Sequence, residues 1–390
     1  MKKIILLYFI LFLSVLPSSN AVGQPWGKAR YHYFVPSNGG KVYCEIVNKT
    51  EKTIRIGAHY EGCRLGDVGR MPWGEKRFQE IKGIETIPSK VELRYCNELK
   101  NEDYSVGIYT IVGLDWRAFY NCTQLISITL PNTVTDIKKQ AFMGCSNLTN
   151  INLPSNIQEI DLSFAEGCKK LESVNLTKGK GSKYFSFNGI LCCNEEMIFC
   201  PLNFRGDLNI PSTIKMVKED VFANHNQLFS VIVNPGTSIG ERAFKNCLCL
   251  KKVILNDGVK WIGSEAFSDC PGIEQIKIPG SLKFINWNAF ANCMSLKSVN
   301  ICEGIGSIEH DAFSFCTSLR EIQLPTTMKW IGEKVFMGCT ALEKVILNPQ
   351  IETIYKYAFF GCSNLTSINV PKETKTFEET FMDCDKLHLQ

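Results

Sequence analysis

The chain has 390 residues, of which 45% are hydrophobic and 21% charged, with 43 basic against 39 acidic residues. This apolar content is sufficient for a large core. The formal net charge of +4 argues against nucleic acid as a partner, because such proteins present a strongly basic stripe.

Residues 1–21 have the pattern of a secretory signal peptide. Lys2 and Lys3 precede an apolar run at 4–16, and Ser19-Asn20-Ala21 resembles a small-residue cleavage site. A membrane anchor is the alternative, but the run of 13 residues is shorter than the roughly 20 that a spanning helix needs. We therefore expect an exported protein with no membrane span in the mature chain.

Residues 22–110 do not follow the repeat found later in the chain. Apolar and polar residues alternate over 41–47 and 53–56, with a polar turn between them, which predicts a β-hairpin. We interpret 22–110 as a β-rich N-terminal capping region, with a separate ligand-binding module as the alternative. The sequence predicts no element for residues 57–78.

A repeating phrase occupies residues 111–390. Its clearest copy reads Ile331-Gly332-x-x-Val335-Phe336-x-x-Cys339-x-x-Leu342-x-x-Val345-x-Leu347. Ten cysteines mark the copies at steps of 23 residues within each run, with a last step of 22: Cys122, Cys145, Cys168, Cys247, Cys270, Cys293, Cys316, Cys339, Cys362 and Cys384. A period in the twenties predicts a solenoid whose coils stack through parallel strands, with short irregular turns on the convex side.

An insertion of 34 residues within about 177–212 separates the two runs of cysteines. Residues 188–193 and 197–201 predict a hairpin, and Leu208-x-Ile210 predicts a further coil. His225 stands at a cysteine position and is interpreted as a substituted core residue.

The repeat cysteines are predicted to form a column of buried, free thiols, because burial treats cysteine as a small apolar side chain. A disulfide from Cys192 or Cys193 to Cys200 is an open alternative for the insertion. Zinc is not expected, since structural zinc sites need paired cysteine spacings that this chain lacks. No cofactor is expected.

The sequence contains no recognisable catalytic arrangement. A cysteine nucleophile needs a nearby base, whereas the five histidines are scattered over different coils and the capping region: His32, His59, His225, His310 and His388. We expect a protein without enzymatic activity.

Two exposed columns are candidates for partner binding. The first lies between the apolar residues of the repeat strand and includes Lys252, Gln275, Lys277, Glu321, Gln323 and Lys344. The second precedes the Ile of Ile-Gly and includes Trp261, Phe284 and Trp330. The alternatives are simple solubility for the first column, and for the second local packing under the Lys260, Lys283 and Lys329 stems.

The repeat resembles the BspA-like leucine-rich repeats of bacterial surface proteins, whose unit is similar to Cys-x-x-Leu-x-x-Ile-x-Leu-Pro-x-x-x-x-x-Ile-Gly-x-x-Ala-Phe. The resemblance implies a leucine-rich-repeat solenoid exported to the cell surface or outside the bacterial envelope. It also implies binding or adhesion to a host or neighbouring-cell protein or glycoprotein. A glycan-binding protein of a nutrient-uptake system is one alternative, and a hydrolase with its site in the N-terminal region is another.

Overall fold

The structure is a computed structural model that describes residues 30–34, 42–57, 83–97, 102–176, 179 and 181–387. The predicted signal peptide at 1–21 and nearly all of the segment 57–78 lie outside this part. The described chain winds into a parallel β-solenoid of about 11 turns with almost no helix, which confirms the predicted fold class.

Each coil contributes one strand to a first ladder, formed by the Leu-x-x-Ile-x-Leu segments. Its strands are β4 (Gly83–Thr86), β7 (Leu125–Thr129), β9 (Asn150–Leu153), β11 (Ser173–Leu176), β15 (Gly206–Ile210), β17 (Leu228–Val233), β19 (Lys252–Leu255), β21 (Gln275–Ile278), β23 (Ser298–Ile301), β25 (Glu321–Gln323), β27 (Lys344–Ile346) and β29 (Ser367–Ile368). Successive side chains alternate in and out. In β21, Ile276 and Ile278 are buried while Gln275 and Lys277 are exposed.

A second ladder of mostly two-residue strands forms another side of the coils. It consists of the end of β6 (Glu102–Leu114) with β8 (Asp136–Ile137), β10 (Glu159–Ile160), β16 (Met216–Val217), β18 (Ser238–Ile239), β20 (Trp261–Ile262), β22 (Phe284–Ile285), β24 (Ser307–Ile308), β26 (Trp330–Ile331) and β28 (Thr353–Ile354). Two 3₁₀ turns lie at Gly280–Leu282 and Glu378–Phe381.

The third side is a stack of phenylalanine rings. Seven consecutive pairs from Phe222 to Phe381 have ring centroids 4.9–5.9 Å apart and ring planes within 15° of parallel. Two residues with positive φ bracket each Ala-Phe segment, as Glu265 and Asp269 do around Phe267. Asn, Asp and Gly are frequent there because they adopt the left-handed conformation at low cost.

The N-terminal residues form a mixed sheet from β1 (Arg30–Phe34), β2 (Val42–Asn48), β3 (Thr53–Ile56), β5 (Lys90–Asn97) and β6. β2 and β3 pair in antiparallel fashion, which confirms the predicted hairpin. β6 pairs with β3 along one edge. Along its other edge it pairs first with β5 and then, at its C-terminal end, with β8 of the solenoid. The sheet and the solenoid therefore share a strand that crosses position 110.

The insertion forms an antiparallel meander of β12 (Tyr184–Phe187), β13 (Ile190–Cys193) and β14 (Glu196–Phe199). The predicted hairpin is confirmed, and β14 continues into the second ladder by pairing with β16. The buried apolar residues divide here into two clusters, one ending at Leu191 and the other beginning at Ile190. Cys192, Cys193 and Cys200 are free thiols, so the alternative disulfide is not formed.

The repeat cysteines form the predicted column. Nine of them, from Cys145 to Cys384, are free thiols, and each Sγ lies 3.0–3.3 Å from the carbonyl oxygen of a phenylalanine in the preceding coil. His225 is buried at the corresponding position. Its Nε2 lies 3.0 Å from the Pro201 carbonyl oxygen, so the ring takes over the contact that a thiol makes elsewhere.

Candidate functional site

The outward face of the first ladder differs between its two halves. In the N-terminal half, the polar side chains are hydrogen-bonded to one another from coil to coil. Asn152 Nδ2 donates to Thr129 Oγ1 at 2.9 Å, Asn175 Nδ2 donates to Asn152 Oδ1 at 3.0 Å, and Ser173 Oγ donates to Asn150 Oδ1 at 2.5 Å. Since these groups already satisfy each other, this half has few polar atoms left for a partner.

The C-terminal half carries charges in place of this amide ladder. It holds all six predicted strand-face residues, and each of them is exposed: Lys252, Gln275, Lys277, Glu321, Gln323 and Lys344. Lys344 Nζ lies 3.8 Å from Glu321 Oε2, and Lys277 Nζ lies 3.6 Å from Asp257 Oδ1. These distances are long for ion pairs between exposed side chains, which contribute about 0–1 kcal/mol to stability.

Lys252 has no ion-pair partner among the described residues. Nearby Glu274 is occupied, because Lys297 Nζ lies 2.9 Å from its Oε2 and thereby holds the pKa of Glu274 below its ordinary value. Lys252 therefore presents an uncompensated positive charge on the face.

A cleft crosses the face beside Lys252. β19 and β21, both fully described, are not paired with each other, and neither are β20 and β22. Both ladders therefore stop between the same two coils, while the phenylalanine stack continues past them. The opening has a volume of about 730 Å³ and is lined by residues of β19, β21 and β23.

Several local features accompany this interruption. In the coil that contains β19, the Asn256 N–H donates to the Val233 carbonyl oxygen, but the next coil has Pro279 at that position, which has no N–H to donate. The 3₁₀ turn Gly280–Leu282 follows, and Lys283 adopts a φ of +70°. In the second ladder, the buried Asn286 side chain donates Nδ2 to the Ile262 carbonyl oxygen at 2.6 Å, a bond that backbone groups make in other coils.

The aromatic candidates lie on the second ladder. Trp261 and Trp330 are 40% and 41% exposed, and Phe284 is half-buried and packs edge-on against Trp261 with centroids 5.4 Å apart. Ser307 pairs with both Phe284 and Trp330, so Trp330 stands two rungs from Phe284, or about 9.6 Å at the usual strand spacing.

The structure thus separates the nine predicted residues into two groups, because the first ladder and the second ladder lie on different sheets. Within the first group, Lys252, Gln275 and Lys277 line the cleft together. The sequence prediction omitted Lys251 and Asp257, which also line it. The sequence could have indicated Lys251, because it directly precedes Lys252. It could not indicate Asp257, because this residue lies in a turn after β19 and the repeat pattern does not predict which way its side chain points.

The described residues contain no group of three His, Cys, Asp or Glu side chains that could hold a metal ion. Within the same part of the chain, no helix has the length and apolar content to cross a membrane.

Two ladders of parallel strands, joined by irregular turns and repeated at 23 residues, define a leucine-rich-repeat solenoid. A family model for the BspA type leucine rich repeat region, with six copies, matches residues 89–205, 195–320 and 288–389. The chain belongs to this family.

Solved structures with the same fold include a leucine-rich repeat protein from Bacteroides ovatus ATCC 8483, which is 22% identical with a TM-score of 0.50 over 89% of this chain and 79% of that chain. A leucine rich cell surface protein from Faecalibacterium prausnitzii A2-165 is also 22% identical, with a TM-score of 0.50 over 94% of this chain and 95% of that chain. No curated protein matches the chain.

Proposed function

We propose that this protein is an exported, non-catalytic binding protein that contacts a protein or glycoprotein of a host or neighbouring cell. The contact surface is the outward face of the first ladder from β19 to β27. One observation carries the proposal: this half of the face has exposed charges and a cleft, whereas the N-terminal half hydrogen-bonds to itself. The predicted signal peptide and the name of the similar Faecalibacterium protein support a location at the cell surface.

A glycan is the second candidate partner, and the aromatic column favours it. Trp261 and Trp330 expose substantial ring surface on one side of the solenoid, and tryptophan is enriched among residues that dominate binding. The two candidates use different faces, so variants of each face distinguish them.

The test is binding of the purified protein to a panel of extracellular-matrix proteins, cell-surface glycoproteins and oligosaccharides. The binding of the unmodified protein is compared with that of the Lys252→Glu/Lys277→Glu and Trp261→Ala/Trp330→Ala variants. Loss of a protein ligand in the lysine variant alone supports the proposal, whereas loss of an oligosaccharide in the tryptophan variant alone supports the second candidate. Lys169→Glu is the matched control, because Lys169 is exposed, lies in the N-terminal half and has no ion pair among the described residues.

A further inference from the structure

We propose, on the basis of the function proposed above, that the cleft lined by β19, β21 and β23 binds an acidic, extended peptide segment of the partner protein. Lys251, Lys252 and Lys277 hold its carboxylates, and Gln275 and Asn300 hydrogen-bond to its backbone.

The charges of the cleft favour an anionic ligand. Its lining contains three lysines, Lys251, Lys252 and Lys277, and two acids, Asp257 and Glu274. Glu274 is already bound by Lys297 from the next coil at 2.9 Å, and Asp257 Oδ1 makes a longer contact of 3.6 Å with Lys277 Nζ. Neither Lys251 nor Lys252 forms an ion pair among the described residues, although the charge of Lys251 acts on Glu274 at longer range. An incoming carboxylate would therefore meet two ammonium groups that no ion pair holds in place.

The neutral lining residues favour a peptide. Gln275, Ser298 and Asn300 line the cleft and make no side-chain hydrogen bond within the described chain, unlike Asn150 and Asn152 on the same face. A side-chain amide has a donor and an acceptor side by side, which matches the N–H and C=O groups of an extended backbone.

The spacing of an extended chain fits this arrangement. Alternate side chains of an extended peptide lie on one side of its backbone, so acidic residues at every second position would all face the lysines. A ligand with a negative charge on every unit, such as a sulfated glycan, would also place charges against Asp257 and Glu274. Like charges repel when they are brought together without solvent, so these two residues disfavour such a ligand.

The experiment measures fluorescence anisotropy of a fluorescein-labelled ten-residue peptide of alternating Glu and Ser, titrated with the full protein at low salt. A peptide of alternating Gln and Ser is the uncharged comparison, and a heparin-derived oligosaccharide is the polyanion comparison. We expect the Glu peptide to bind at least about tenfold more tightly than the Gln peptide. Lys251→Glu/Lys252→Glu should weaken Glu-peptide binding by about tenfold or more, whereas Lys169→Glu should leave it unchanged. Circular dichroism verifies that each variant is folded.

Equal binding of the two peptides, or unchanged binding by the Lys251→Glu/Lys252→Glu variant, overturns the inference. Tighter binding of the heparin oligosaccharide that the same variant abolishes also overturns it, in favour of a glycan. If a panel protein binds through the lysine face but the Glu peptide does not, the inference fails and the proposed function stands. If the Glu peptide binds as expected and no panel protein binds, the chemistry of the cleft is supported and the proposed function fails.

Discussion

Arg55 pairs with Asp136 across an intervening strand. Arg55 Nη2 lies 3.0 Å from both carboxylate oxygens of Asp136, although the two residues belong to β3 and β8, with β6 between them. Gly113 of β6 is the direct neighbour of each. Because glycine has no side chain, the guanidinium passes over this strand, and the ion pair joins the N-terminal sheet to the first coils.

Asp136→Ala should destabilise the protein by about 1–3 kcal/mol, because it leaves a partly buried guanidinium without its acceptor. The side chain of Asp136 is only 10% exposed. Urea denaturation measures the change. Asp257→Ala is the control, because losing the exposed Lys277–Asp257 ion pair should lower the free energy of unfolding by only about 0–1 kcal/mol. Equal effects of the two substitutions would show that the ion pair across Gly113 is not a structural clamp.

His225 should make the stability of the protein depend on pH at values above those at which carboxylates titrate. Burial lowers the pKa of His225 from the usual 6.5, so the folded protein binds fewer protons than the unfolded chain. Stability should therefore fall as the pH drops below about 6.5. Urea unfolding at pH 7.5 and 5.5 measures this effect, and His225→Cys, which restores the repeat residue, should reduce it. His310→Asn should leave the pH dependence unchanged, because His310 is exposed. The same pH dependence of stability in the unmodified protein and both variants would contradict the prediction.

The cysteine column should react with alkylating reagents from one end. Burial raises the pKa of Cys339 to about 12, whereas the pKa of half-buried Cys384 is lowered, chiefly by its hydrogen bond with the Cys362 thiol. Because the thiolate is the reactive form, iodoacetamide at pH 8 should modify Cys384 well before Cys339. Peptide mapping by mass spectrometry measures the order, and unfolding in urea should abolish the difference. Equal rates in the native protein would refute it.

Phe315→Asn should stabilise the protein by about 1 kcal/mol. Phe315 has a φ of +59° and is 42% exposed, at a position where neighbouring coils have Asn292 and Gly338. A bulky side chain is unfavourable in this conformation, and Asn tolerates it. Thermal unfolding measures the gain.

Gly338→Ala serves as the opposite case. Gly338 has a φ of +71°, and an added Cβ would approach Phe315 Cδ1 to 2.6 Å. If Gly338→Ala loses stability and Phe315→Asn gains it, both effects arise from the left-handed backbone conformation at this repeat position. If Phe315→Asn is destabilising, the contact of the Phe315 ring with Gly338 outweighs the backbone strain.

The division of the core at the insertion predicts local unfolding in two parts. Phe290→Ala removes a buried ring from the stack and should destabilise the coils after the insertion by about 3–5 kcal/mol. Hydrogen exchange measured by mass spectrometry should then show faster exchange around Cys270–Cys316 with little change around Cys122–Cys168. Phe142→Ala should give the reverse pattern. Faster exchange throughout the chain in both variants would mean that the two clusters unfold as one.

The repeat and the cysteine column could be predicted because one phrase recurs every 23 residues. The hairpins could be predicted because each depends on residues close together in the chain. Ile276 and Ile278 alternate with polar residues, and Asn194 and Glu195 separate two apolar runs. The Arg55–Asp136 pair could not be predicted, since it depends on strands brought together from three distant segments.

The cleft was also beyond sequence reasoning, because the repeat continues in register through it. Pro325 occupies the same repeat position as Pro279, yet β23 and β25 pair normally. The proline therefore does not interrupt the ladder by itself, and the 3₁₀ turn at Gly280–Leu282 is the distinguishing feature. Asn286 gave no clear signal either, because three copies have glycine at this position but others have residues such as Glu309 and Tyr355.

The interruption of both ladders also has a mechanical consequence. When the solenoid is stretched along its axis, most neighbouring coils share the load between two rows of backbone hydrogen bonds and the stacked rings. Between β19 and β21 both rows are missing. The load passes through the stacked rings and backbone hydrogen bonds of the Phe267–Phe290 side, together with the side-chain hydrogen bonds of Ser281 and Asn286. This junction is the most compliant point of the C-terminal half, so pulling on the chain would first bend the molecule there and widen the opening beside Lys252.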